Sequence, residues 1–142
     1  MSSRTVLGFD FGTKRIGIAV GQEITRTAKG ITTLKTHQRE PDWEKIDHLI
    51  REWQPQLLVV GMPHNMDDRP HPLEKTVENF GNHLKQRYNL PLEWMDERLS
   101  SVEAEQRLAE QRQSKHIKSG NVEIDTLAAE IILQSWFNCT AN

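Results

Sequence analysis

The order of hydrophobic periods predicts an α/β fold, a mixed five-stranded sheet with helices on both faces. Two observations carry this. Three β-rich runs come first, within residues 5–34, and patterns at helical spacing then alternate with short apolar runs as far as residue 137. An antiparallel meander followed by alternating α/β units closes into a sheet of that kind.

Thr5 to Phe11 and Arg15 to Val20 are β-rich and joined by Gly12-Thr13-Lys14, which reads as a hairpin. Ile31 to Leu34, rich in β-branched residues, supplies a third strand. The period then changes. Trp43, Ile46, Leu49, Ile50 and Trp53 fall at helical spacing, with Pro41 suited to the first turn and Pro55 ending the helix. Leu57 to Val60 is continuously apolar, the pattern of a strand covered on both faces.

Leu73, Val77, Phe80, Leu84 and Tyr88 form one stripe of an amphipathic helix, which Asn89 and Pro91 end. Leu92 to Met95 is a short fifth strand. Ser100-Ser101-Val102-Glu103 looks like a capped helix start, running to about Glu110. Gln111 to Asn121 reads as a polar loop, and Ile124, Leu127, Ala128, Ile131 and Ile132 begin a final helix. The order is βββαβαβα, with the two last helical segments counted together and no linker or repeat, so residues 1–142 are expected to form one domain.

Composition bounds the function. A chain of 142 residues can build a core without staples. The single cysteine, Cys139, leaves no disulfide framework and no Cys-based zinc finger. The longest apolar run, Leu57 to Val60, is far short of the roughly 20 residues that span a bilayer. No apolar signal region follows Met1, so the expected location is the cytoplasm. The formal charge of −2 conceals an asymmetry. Residues 1–39 carry seven Lys/Arg against two acids, while residues 40–110 carry eight against 15. A basic face suited to nucleic acid is compatible with that distribution, as are solvated basic loops.

Three acidic positions stand out. Asp10 lies in the apolar run Val6-Leu7-Gly8-Phe9-Asp10-Phe11, Asp96 and Glu97 end the fifth strand, and Asp125 opens the last helix. A carboxylate on a central strand needs a partner, because an unpaired buried charge is costly. A hard divalent cation such as Mg²⁺ or Mn²⁺ is one such partner. Lys14 or Arg15 could instead pair with Asp10, and Asp125 could be a first-turn acid favoured by the helix dipole. The six histidines form no tight metal-ligand spacing, and the four tryptophans fit packing faces before base stacking.

The segment Phe9-Asp10-Phe11-Gly12-Thr13-Lys14-Arg15-Ile16-Gly17 resembles the phosphate-facing hairpin of RNase H-like nucleases and of actin–hexokinase–chaperone ATPases. The ATPases need a second domain with a second such hairpin, for which 142 residues leave no room. Three further segments follow in order: Val60-Gly61-Met62-Pro63-His64-Asn65-Met66-Asp67, then Asp96-Glu97-Arg98-Leu99-Ser100-Ser101-Val102-Glu103-Ala104, then Asp125-Thr126-Leu127-Ala128-Ala129-Glu130-Ile131-Ile132-Leu133. Together they resemble the YqgF family of RNase H-like proteins, described as Holliday junction resolvases or pre-16S rRNA nucleases. One departure is visible: Asp68 stands where the family usually has Gly.

The resemblance implies an RNase H-like fold and a catalytic, metal-binding triad of Asp10, Glu97 and Asp125. Asp96 should point away from Glu97. The expected cofactor is Mg²⁺ or Mn²⁺, used as a pair of ions about a phosphodiester. Lys14, Arg15, Arg98, Lys115 and Lys118, with Arg112 and His116, would hold the nucleic acid backbone. The implied function is metal-dependent endonuclease action at the 5′ end of pre-16S rRNA, by a monomer. Resolution of branched DNA by a two-fold dimer, and non-catalytic nucleic-acid binding, are the alternatives.

Overall fold

The computed structural model describes residues 4–12, 14–36, 40–63, 72–96 and 121–139, with side chains from residue 126 onward in the last helix. Five strands, β1 (Thr5–Phe11), β2 (Arg15–Gln22), β3 (Thr27–Lys35), β4 (Leu57–Met62) and β5 (Leu92–Asp96), form one sheet in the order β3-β2-β1-β4-β5. β1 and β2 are antiparallel, as are β2 and β3, whereas β1, β4 and β5 run parallel. The mixed sheet and its meander match the order of periods in the sequence.

Three helices are described: α1 (Trp43–Trp53), α2 (Glu74–Tyr88) and α3 (Asn121–Cys139). Leu7, Phe9 and Phe11 of β1 pack with Ile46 of α1 and Val77, Phe80 and Leu84 of α2. Val6 of β1, Leu57 and Val59 of β4 and Met95 of β5 pack on the other face against Ala129, Ile132, Leu133, Trp136 and Phe137 of α3. Strand alternation sorts each strand's side chains between these two cores. All six residues of β4 are buried because helices cover both its faces.

Several boundaries differ from the sequence expectation, each for a local reason. β3 starts at Thr27, four residues before Ile31, because Gly30 lies within the strand at a close approach to α3. Pro41 precedes α1, whose cap is Asp42, a carboxylate accepting the Lys45 N–H at 3.3 Å. Gln54 and Asn89, both in the left-handed conformation, cap the ends of α1 and α2, so Pro55 follows an end already made. α3 starts at Asn121, three residues before Ile124. The expected helix from Ser100 to Glu110 and the Asp68 departure lie outside the described residues. No described helix is long and apolar enough to cross a membrane.

Candidate active site

Parallel β1, β4 and β5 end on the same edge of the sheet, which places Asp10, Met62 and Asp96 near one another in the strand order. Val6 packs in the α3 core, and a Cβ built on Gly8 would lie 2.9 Å from Leu133 Cβ. The even-numbered side of β1 therefore faces α3, and half-buried Asp10 belongs to it. Phe9 and Phe11, on either side of Asp10, face α1 and α2.

The register carries Asp10 across the sheet to α3. Asp10 stands opposite Gly17, and Gly17 stands opposite Thr33. The Thr33 hydroxyl is hydrogen-bonded to the Thr126 hydroxyl. A Cβ on Gly30 would sit 2.5 Å from Thr126 Cγ2 and 2.8 Å from the Thr126 carbonyl oxygen, so only glycine lets α3 approach β3 this closely. Further along, the Gly30 N–H donates to Glu130 Oε1 at 2.9 Å and the Ala28 N–H to Gln134 Oε1 at 3.0 Å. Arg26 donates to the Phe137 carbonyl oxygen at 2.6 Å. α3 thus runs antiparallel to β3, and its first turns, which carry Asp125, lie at the level of Asp10.

Thr126, Glu130 and Gln134 recur every four residues through the largely apolar stretch that follows Asp125 in α3. Sequence reasoning missed their role. The signal was present: three polar residues in one stripe, all reaching the edge strand β3, where Glu130 and Gln134 occupy N–H groups that an edge would otherwise leave open.

On β5, Glu93 accepts a hydrogen bond from Trp136 Nε1 at 3.0 Å, and Met95 packs in the α3 core. Trp94 instead lies against Gly81 of α2. Even-numbered Asp96 therefore belongs to the α1/α2 side, away from Asp10, as the alternation in the sequence requires. Trp94 is 39% exposed, and the other three tryptophans pack as expected.

Lys14 is exposed at the β1–β2 hairpin, where its carbonyl oxygen accepts the Thr36 N–H at 3.0 Å, and half-buried Arg15 pairs with Lys35 in the register. Gly12 closes the turn by donating to the Arg15 carbonyl oxygen at 2.8 Å. Glu97, Arg98, Arg112, Lys115, His116 and Lys118 lie outside the described residues, as does the Asp125 side chain. Among the described residues no three His, Cys, Asp or Glu side chains form a metal-binding group. Asp10 itself fits a hard cation: an oxygen donor, fixed on a central strand, on the face that also carries the start of α3.

A family model described as "RuvX: Holliday junction resolvase" matches residues 4–139. Two similar curated proteins are both named "Putative pre-16S rRNA nuclease". The one from Nitrosococcus oceani is 51% identical over 133 residues, 94% of this chain and 86% of the relative. The one from Pectobacterium atrosepticum is 50% identical over 137 residues, 96% of this chain and 97% of the relative. Among solved structures, Thermus thermophilus RuvC in complex with a Holliday junction substrate superimposes with a TM-score of 0.59 at 16% identity, covering 96% of this chain and 94% of that one. Fowlpox virus resolvase with its substrate junction DNA gives 0.60 at 10% identity, covering 97% and 99%. These likenesses show the RNase H-like fold.

Proposed function

This chain belongs to the RuvX family, also called YqgF, and we propose that residues 1–142 form one metal-dependent endonuclease domain that processes the 5′ end of pre-16S rRNA. The observation that carries the reading is the alignment of Asp10 with the first turns of α3 through Gly17, Thr33 and Thr126. Strand β1 fixes Asp10, and the polar stripe on α3 fixes the backbone at Asp125. Glu93 and Met95 of β5 face α3, and Glu97 is the next residue of that odd-numbered series.

Asp10, Glu97 and Asp125 would hold Mg²⁺ or Mn²⁺, oxygen ligands suited to a hard cation. When bound, such a cation supplies positive charge to the phosphodiester and a water of lowered pKa. The carboxylates would orient the attacking water, and the phosphate oxygens would be the remaining negative groups to be held. Lys14 and Arg15 would bind the phosphate backbone beside Asp10, and Arg98, Lys115 and Lys118 are the further candidates for phosphate contacts. Contacts of that kind place the strand without reading its sequence.

The family's description as Holliday junction resolvase favours a second substrate, a four-way DNA junction. Its symmetry calls for two paired active sites, hence a two-fold dimer, whereas a monomer suits RNA processing. Precursor 16S rRNA and a four-way junction, offered side by side with Mg²⁺ or Mn²⁺, separate the two. Faster cutting of the RNA by a monomer is expected. Exclusive cutting of the junction by a dimer would select the other substrate, and no cutting of either would reject the enzyme.

A further inference from the structure

A pocket lies on the face of the sheet opposite to Asp10, at the same end of β1. Phe11, Trp43, Phe80 and His83 line a pocket of about 170 Å³, with Thr76 and Asn79 of α2 on its wall. Trp43 and His83 stack with centroids 4.1 Å apart and planes at 27°, and Phe11 and Phe80 lie 4.8 Å apart. Phe11 follows Asp10 directly in β1. We propose that this pocket takes one unpaired nucleobase of the bound strand, a proposal that rests on the reading of the chain as a nucleic-acid enzyme.

Three features select a base over other occupants. The volume is below the ~300–1,000 Å³ of sites for drug-sized ligands, so a single planar ring system is the natural occupant. Aromatic walls stack any base, because every base presents a π-face. Among the described residues the carboxylate on the wall is Glu40, which disfavours phosphate but accepts hydrogen bonds from base N–H groups. Asn79 and Thr76 are exposed and can donate or accept at a base edge. A strand crossing the carboxyl end of the sheet would present its phosphate on the Asp10 side and turn a neighbouring base towards Phe11 on the other.

The test measures binding of a fluorescein-labelled single-stranded RNA 12-mer in EDTA, with one abasic site moved through the sequence. In the wild type, one abasic position should weaken binding about ten-fold relative to its neighbours. His83→Ala and Asn79→Ala, both at exposed positions, should flatten that profile while their melting temperatures stay near wild type. A flat wild-type profile, absence of binding, or an unchanged profile in both variants would overturn the proposal. Because no cleavage occurs in EDTA, a base-dependent profile alongside a failed cleavage assay would reject the nuclease reading and leave the pocket standing.

Discussion

The hydroxyls of Thr33 and Thr126 are hydrogen-bonded to each other at the point where β3 meets the start of α3, in register with Asp10 two strands away. That contact ties the helix carrying Asp125 to β3, which β2 joins to the strand carrying Asp10. Thr33→Val removes the bond and keeps the shape. It should cost about 1 kcal/mol of stability, yet lower the cleavage rate roughly ten- to a hundred-fold, because small misplacements are expensive in catalysis. Thr33→Ser should restore both. Rates and melting curves of the two variants check this, and equal rates in Val and Ser would remove the positioning role.

Gly30→Ala tests the same junction by steric means. The added Cβ meets Thr126 Cγ2 at 2.5 Å and the Thr126 carbonyl oxygen at 2.8 Å, so helix or strand must move. Overpacking of this type costs about 1–3 kcal/mol. Denaturant titration should show that loss, with reduced cleavage by the folded fraction.

Leu133 is fully buried in the α3 core, and its Cβ lies 2.9 Å from where a Cβ on Gly8 would be. Leu133→Ala should destabilise by about 2–5 kcal/mol, the transfer loss plus a cavity. The midpoint of urea unfolding measures it.

Away from the site, Asp47 of α1 accepts two hydrogen bonds from Arg87 of α2 at 2.8 Å and one from the Tyr88 hydroxyl at 2.6 Å. Arg87 first, then Tyr88, lowers the Asp47 pKa from 3.8 to about 2. A carboxyl depressed on folding contributes stability above its unfolded pKa and loses it as pH falls through the folded value. Asp47→Asn should therefore be less stable than wild type at pH 7, modestly because the pair is partly exposed. The difference should shrink between pH 4 and pH 2, as read from melting curves at each pH.

Much of this arrangement was legible in the sequence. The apolar run of β4 and the stripes of α1 and α2 each follow from a period that burial imposes, and β1 with its Asp10 stood out because an acid interrupts an apolar strand. The alternation that sends Asp96 to the α1/α2 side was also readable from strand geometry alone. What escaped is long-range. The early start of β3 depends on Gly30, whose destabilising local propensity is outweighed by contact with a helix 96 positions later, at Thr126. The stripe Thr126, Glu130 and Gln134 has meaning only once the edge of β3 lies beside it, and the base-sized pocket needs Phe11, Trp43 and His83 brought together from three elements.

We propose that Asp10 serves chemistry and not folding. Cleavage of precursor 16S rRNA by wild type and Asp10→Asn, with Mg²⁺ or Mn²⁺ and with melting temperatures recorded in parallel, tests it most directly. Metal-dependent cutting by the wild type, and none by a variant that remains folded, is the expected result. Normal cutting by folded Asp10→Asn would contradict it.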